Sequence, residues 1–330
     1  MPVFPFDDAH IERAAQLLRA GELVAFATET VYGLGANALD ERAAAKIYAA
    51  KGRPAFNPLI VHIADTLGAQ SLTTGWNQRA QALADAFWPG PLTLILPKID
   101  AIPAIVSAGL ATVALRVPSG EAAQRLLRAA QIPLAAPSAN ASGEVSPTLA
   151  AHVVASLGEE IFVLDGGACE VGIESTVVDV SGAHTAILRP GSISEREIAT
   201  VVGPLSSFSP SQAETSEPRA SPGMLLRHYA PRAPLQLFSN LSEAHFHAVA
   251  SRAERLGVIA FAPTRLDAHC ELILPLDAAP YAQKLYAALH RLDGDGKDGE
   301  AGCDWILVED PPLLPAWEGV RDRLRRAARG

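Results

Sequence analysis

Apolar residues return every three or four positions early in the chain, at Ile11, Ala14, Ala15 and Leu18, with Asp7 and Asp8 in front as capping acids and Gly21 behind. This spacing predicts a helix over 8–20 with one face turned to a core. The rhythm then changes. Residues 23–27 are an unbroken apolar run, which predicts a buried strand, and the polar stretch TETVYGLG at 28–35 predicts a loop after it. Helical spacing returns over 41–50, 76–87 and 120–130. Strand-like runs lie at 57–63, 92–96, 113–117, 134–136, 161–164, 176–179 and 186–188, with breaks at Pro89-Gly90-Pro91 and Pro97. These elements predict a mixed α/β domain over 1–195. No Gly-x-Gly-x-x-Gly follows the first strand and no Gly-x-x-x-x-Gly-Lys-Ser/Thr occurs, so neither a doubly wound dinucleotide fold nor a P-loop is expected.

The pattern fails over 202–223, where Ser, Pro and Glu dominate and no regular structure is expected. A linker is drawn at 196–233. Beyond it, strands at 235–238, 257–261 and 305–309 alternate with helices within 241–256, at 279–292 and at 317–328. That alternation predicts a smaller, Rossmann-like parallel α/β domain over 234–330. DGDGKDGE at 293–300 reads as a surface turn, since its acids do not follow the twelve-residue calcium-loop order.

Composition narrows the function classes. The chain has 330 residues, 49% hydrophobic and 19% charged, which suits a compact soluble protein. Its formal net charge of −9 argues against a broad grip on an RNA backbone. Cys169, Cys270 and Cys303 lack metal-site spacing and are expected to stay reduced in a cytoplasmic setting. No basic, then apolar leader opens the sequence, and no uncharged apolar run reaches membrane-spanning length.

Candidate chemistry lies in polar segments marked by Gly and Pro, with no catalytic triad or metal cluster among them. Such a set suits a nucleotide triphosphate and a small zwitterion, worked on by placement and charge. Lys51 and Arg53 flank Gly52 before Pro54, in a turn outside the predicted core. This is either a solvated basic turn or a phosphate site. Arg116 interrupts an apolar strand in VALRVPS. It either faces water at the strand end or clamps a free amino acid's carboxylate with two parallel hydrogen bonds. Ser138, Asn140, Ser142, Gly143 and Ser146 in APSANASGEVSPT read as a surface loop or a phosphate nest. Thr28 and Thr30 either cap a turn or face a ligand. His62 follows a strand and reads as an ordinary half-buried histidine. Ser175 and Arg189 stand at two strand ends that suit one cleft. Glu174 is a candidate base outside the core assignment. In SPGMLLRHYAP at 221–231, Met224, Leu225, Leu226 and Tyr229 are apolar or aromatic in a polar stretch, as in an anchor between domains.

In this order and spacing, TETVYGLG, KGRPxxNPL, SANxSGxxSPT and SPGMxxxHYAP resemble the YrdC/Sua5 family, and the whole chain resembles its two-domain type. The resemblance implies a YrdC-like catalytic domain and an L-threonylcarbamoyladenylate synthase activity. Such enzymes use L-threonine, bicarbonate and ATP to make threonylcarbamoyl-AMP and pyrophosphate for N6-threonylcarbamoyladenosine at tRNA position 37. It implies Lys51, Arg53, Arg116 and Asn140 as catalytic. It places Arg53, Asn57, Thr112, Ser138, Ser146, Arg189 and Tyr229 at ATP, with His228 nearby. Thr30, Tyr32, His62, Arg116, Ala136 and Ser175 fall to L-threonine. The linker would cross the cleft and exclude water from labile intermediates. Mg2+ is expected with the phosphates, though no carboxylate cluster locates it, and the product would pass to a tRNA threonylcarbamoyl-transferase complex. Ala27 stands where relatives usually carry Pro, which removes no polar contact. Two competing readings are a non-catalytic RNA-binding module and one part of a larger carbamoyl-transfer machine. For RNA, the basic run RDRLRRAAR at 321–329 is the candidate patch; a solvated helix face explains it equally.

Overall fold

The computed structural model describes residues 2–206, 228–294 and 302–329. The first part builds β1 (Val3–Pro5), α1 (Asp8–Arg19), β2 (Val24–Ala27), β3 (Tyr32–Asn37), α2 (Glu41–Lys51) and β4 (Ile60–His62). It continues with α3 (Thr66–Ser71), α4 (Gln78–Phe87), β5 (Leu92–Pro97), α5 (Ala104–Ser107), β6 (Thr112–Arg116) and α6 (Glu121–Ala130). Then come β7 (Leu134–Ala135), α7 (Ala150–Leu157), β8 (Phe162–Asp165), β9 (Thr176–Asp179), β10 (Ala186–Arg189) and α8 (Glu195–Val202). Caps set several starts: the Asp7 carboxylate accepts from the His10 N–H, and Asp40 accepts from the second and third amides of α2.

The strands form one ten-stranded mixed sheet in the order β1-β8-β2-β3-β7-β4-β6-β5-β9-β10. Parallel β4 and β6 set His62 beside Arg116, and β5 runs antiparallel to β6. Because side chains alternate across a sheet, Ile60, Ile95, Ala114, Val177 and Leu188 form an apolar floor on one face. His62 and Arg116 stand on that same face at its polar end.

TETVYGLG is not all loop. Its second half is β3, paired antiparallel with β2, so the segment is a hairpin whose turn carries Thr28 to Val31. Gly35 is required there, because a Cβ would lie 2.8 Å from the Phe26 ring. The linker bounds also shift. Helix α8 occupies the segment assigned to linker from 196 and packs on α4, burying Ile198. Its Ser194–Glu197 capping box is local, and the chain stays with the first sheet as far as a bridge between Ser206 and Ala186.

The second domain comprises β11 (Leu235–Phe238), α9 (Leu241–Ser251), β12 (Leu256–Ala260), β13 (Cys270–Ile273), α10 (Ala278–Asp293), β14 (Trp305–Glu309) and α11 (Glu318–Ala327). Its sheet is wholly parallel, in the order β11-β14-β12-β13. One hydrophobic cluster crosses between domains: Val31, Val145 and Ile173 pack with Tyr229, Tyr281, Tyr286 and Trp317. Most of SPGMLLRHYAP and of DGDGKDGE lies outside the described residues; His228 and Tyr229 lie within them.

Candidate active site

A cavity opens over the apolar floor, lined by residues of both domains' junction: Thr28, Thr30, Arg53, His62, Arg116, Ala136, Ser138, Glu174, Arg189, His228 and Tyr229 among them. It has two polar ends. At one, Arg116 is buried and its Nη2 stands 2.7 Å from Glu29 Oε1. The approach is off the hydrogen-bond line, so both atoms keep bonding capacity. Glu29 is fixed from its other oxygen by the Gly120 N–H at 3.2 Å. Burial raises the Glu29 pKa, but the Arg116 charge and the hydrogen bonds outweigh it and hold the carboxyl below its ordinary value. The hairpin turn is locked by Thr28, whose hydroxyl donates to Val31 O at 2.7 Å and meets the Thr30 hydroxyl at 2.8 Å. His62 is pushed down to about 3 by burial first and the Arg116 charge second, so it is neutral at physiological pH. The reading of Arg116 as a water-facing strand end is therefore excluded; it is a buried, internally paired cation.

At the other end, Arg189 donates from Nε and Nη2 to Ser175 O at 3.1 and 3.0 Å and from Nη2 to Ser175 Oγ at 3.0 Å. Ser175 Oγ also meets Thr93 Oγ1 at 2.8 Å. Arg53 donates to Asn57 O at 3.1 Å and Pro58 O at 2.8 Å, leaving one guanidinium edge toward the cavity it lines. Burial brings Arg53 down to about 10, which still leaves it charged. Tyr229 caps this end, fully buried at a positive φ of 61° and T-stacked on His228 at 4.1 Å. His228 is lowered to about 3, chiefly by burial.

Three assigned residues sit elsewhere. Tyr32 turns its ring away, and its hydroxyl donates to Asp165 at 3.0 Å and Gly167 O at 2.8 Å, so it supports the hairpin from behind. Lys51 is buried under the Ser/Asn loop, donating to Ser138 O at 2.6 Å and to Asn140 O; it holds the loop rather than facing the cavity. Thr112 lies at the far end of β6, opposite Pro97, although on the same face as Arg116. The basic turn is thus part of the interior. Asn57 and Asn140 are buried beside these groups, and Ser146 donates to Glu174 Oε1 at 2.5 Å.

Glu174, a candidate base in the sequence, is no base here. Its Oε2 accepts from Arg323 Nε at 2.7 Å and from the Tyr286 hydroxyl at 3.0 Å. Burial pushes its pKa up, yet Arg323, Arg189 and the Ser146 hydrogen bond outweigh that and bring it to about 2. Arg323 is the residue the sequence reading missed. It belongs to the basic tail, but Arg321 and Arg323 are buried, so that run is neither a solvated face nor a continuous RNA-binding patch.

Among the described residues, eleven buried side-chain polar atoms make no hydrogen bond, and seven belong to Glu29, Asn57, Arg116, Asn140, His228 and Tyr229, of which Glu29 Oε1 and Arg116 Nη2 face each other as an ion pair. Buried polar atoms are normally satisfied, so their concentration at one cavity and its flanks marks a ligand site. No group of three or more His, Cys, Asp or Glu that could hold a metal occurs among the described residues.

A family model of Sua5, YciO and YrdC, described as Telomere recombination, matches residues 16–191. A second, described as Threonylcarbamoyl-AMP synthase, C-terminal domain, matches residues 193–329. The chain is 40% identical over 326 residues to a Threonylcarbamoyl-AMP synthase of Pyrococcus abyssi, covering 96% of this chain and 94% of that one. It is 41% identical over 333 residues to the one of Bacillus subtilis, covering 98% and 94%. It also matches a crystal structure of P. abyssi Sua5 complexed with L-threonine, with a TM-score of 0.90 and 38% identity over 99% of this chain and 97% of that one.

Proposed function

The chain belongs to the Sua5/YciO/YrdC family, and on that premise we propose how its cavity carries out the family's reaction. The protein is a threonylcarbamoyl-AMP synthase, an ATP-dependent nucleotidyltransferase and not a non-catalytic RNA-binding module. The observation that carries the residue assignment is the set of buried polar atoms without a hydrogen bond at a cavity with a cation at each end.

Arg116 takes the threonine carboxylate, with Glu29 behind it setting the guanidinium plane and Thr30 and Ala136 bounding the pocket. Neutral His62 helps to leave the amine uncharged. The amine adds to CO2 released from bicarbonate, forming an N–C bond, and its proton passes to the hydroxide left from bicarbonate to give water; the carbamate oxygen then attacks the α-phosphorus of ATP. The Pα–O bond to the β-phosphate breaks and pyrophosphate leaves. Arg53, Arg189 and the loop of Ser138 that Lys51 holds offset charge on the departing phosphates. The apolar floor of Ile60, Ala114 and Leu188 suits the adenine ring, and Thr112 lies along that face.

Mg2+ does not find a protein site here. Among the described residues that line the cavity, the carboxylate is that of Glu174, which is consumed by Arg323, and Asn140 Oδ1 is a single neutral acceptor. Mg2+ would arrive on the triphosphate, held by phosphate oxygens and water. In the described conformation the cavity holds about 50 Å3, far below the roughly 300–1,000 Å3 of ordinary ligand pockets. His228 and Tyr229 line this small space, and movement of this part of the linker would admit a nucleotide. The product would be handed to a tRNA-modifying transferase, in the cytoplasm.

Purified protein given labelled L-threonine, bicarbonate and ATP should release pyrophosphate and form the labelled adenylate. Absence of both products across a range of Mg2+ concentrations would sink the assignment.

A further inference from the structure

Arg323 sits on the second domain and never faces the cavity, yet it touches the first domain at three places around the nucleotide end. Its Nε donates to Glu174 Oε2 at 2.7 Å, its Nη2 to Glu174 O at 3.2 Å and its Nη1 to Pro190 O at 2.7 Å. Glu174 and Pro190 are the chain neighbours of Ser175 and Arg189. One guanidinium therefore ties together the two strand ends whose side chains hydrogen-bond at the cavity. Its flat face lies 5.1 Å from the centre of the Tyr229 ring, and that ring stacks on Tyr286, the other donor to Glu174. The approach is built in: a Cβ on Gly319 would stand 2.5 Å from Gly191 O, and one on Gly191 would stand 2.4 Å from the Thr176 N. Glycine at 319 lets α11 come this close, Gly191 lets the turn after Arg189 lie against the start of β9, and Arg323 follows Gly319 by one helical turn.

We propose that Arg323 is a positioning residue for the nucleotide end of the site. It neutralises Glu174 so that this carboxylate does not capture Arg189, and it sets Arg189, Ser146 and Tyr229 around the triphosphate. Glu174 lies in the field of both arginines, and Ser146 hangs from its other oxygen. With Arg323 gone, the nearest remaining cation for the buried carboxylate is Arg189. Arg189 would then turn from Ser175 toward Glu174 and be lost to the phosphates. Among the described residues, Glu29, Thr30, His62 and Arg116 share no hydrogen bond with this network; Ser175, which the resemblance gave to L-threonine, belongs to it through Arg189. This inference rests on the reading that the Arg189 end takes ATP.

The test is equilibrium binding of ATP and, separately, of L-threonine to the full-length protein by titration calorimetry. Arg323→Met should weaken ATP by about tenfold or more and threonine by less than about twofold. Removing the freed charge as well, in the pair Glu174→Gln with Arg323→Met, should return at least about threefold of the lost ATP affinity. A role in domain docking alone predicts no such recovery. Unchanged ATP affinity, equal weakening of both ligands, or a double variant no tighter than Arg323→Met would overturn the proposal. Should Arg323→Met not fold, Arg323→Lys carries the same readout, because one ammonium cannot span the Glu174 and Pro190 carbonyls. ATP weakened about threefold with threonine unchanged supports the role, and no difference between the ligands overturns it. Binding does not depend on turnover, so a protein that binds both ligands but forms no adenylate would fail the catalytic reading and leave this comparison standing.

Discussion

Two buried Glu–Arg pairs stand at the two ends of the cavity, and each closes at 2.7 Å. Glu29 and Arg116 both come from the first domain, the acid from a hairpin turn and the cation from a neighbouring strand. Glu174 and Arg323 come from different domains. In the first pair, on the proposed assignment, the arginine faces the ligand and the acid orients it. In the second the cavity arginine is a third residue, Arg189, and the pair keeps the acid away from it. On that proposal the amino-acid end is complete within one domain, whereas the nucleotide end is complete only when α11 is docked. A single buried carboxylate does opposite jobs, according to whether the cation beside it is the one that meets substrate.

The largest effect should come from breaking the self-contained end. Arg116→Ala removes the carboxylate partner and strands Glu29. We expect threonine binding to fall by about a hundredfold or more, with ATP binding within about threefold, and stability to drop by roughly 3–5 kcal/mol. Calorimetry with each ligand and urea unfolding would measure these. Equal loss of both ligands would mean that Arg116 serves the sheet and not threonine. The composite end should respond in the reverse sense to a cut after Ser206. This site spares α8, which a cut near residue 200 would have severed. ATP should weaken by about tenfold or more while threonine binding stays within about threefold. A truncated chain that binds ATP normally would show that both ends are self-contained.

The asymmetry between the ends also explains what the sequence disclosed. The alternating strands and helices of both domains follow from local pattern, and the parallel second sheet follows from their order. Arg116, Ser175 and Arg189 stand out because they interrupt or end apolar runs, whereas Thr30 and His62 came in through the family resemblance, and the fold gathers these segments. What stayed hidden depends on tertiary approach. β3 was hidden because its glycines mimic a loop, although they are there to clear Phe26. The edge strand β13 was missed because Cys270 and Glu271 leave it partly exposed and without an unbroken apolar run. The turn of Lys51 and Arg53 looked solvated, and no local signal says that carbonyls of residues 138 and 140 will close over the lysine. Arg323 was hidden most completely. It stands in a run of arginines of which Arg325 is exposed, and only the Gly319 contact decides which arginine faces inward.

Tyr229 offers a finer cut at the composite end, since it can be altered without removing the domain. Its ring lies between His228, Tyr286 and Arg323, and its hydroxyl faces Arg189. Tyr229→Ala should weaken ATP by about threefold to tenfold, and Tyr229→Phe, which keeps the ring, by less. If the linker only docks the domains, Tyr229→Ala would keep normal ATP affinity while small-angle scattering reports a looser particle.

The smallest effect at neutral pH is the proton linkage of Glu174, and it separates formation of the pair from its role in binding. In the unfolded chain this carboxyl takes up its proton near its ordinary value of 4.5; in the folded protein it holds out to about 2. Between those values the unfolded state binds more protons, so stability falls as the pH falls. Above about pH 5 both states are ionised and the contribution is fully present, which is why nothing changes at neutrality. The whole window is worth about 3 kcal/mol. Urea unfolding of the full-length protein from pH 6 to pH 3 should therefore lose stability faster for wild type than for Glu174→Gln, by up to about 1.4 kcal/mol per pH unit. The lowered carboxyl of Glu29 remains in both proteins and cancels from the difference. Parallel pH slopes would mean that Glu174 titrates alike folded and unfolded. Arg323 would then not hold it, and the contrast between a self-contained end and one completed across the domains would fail at its root.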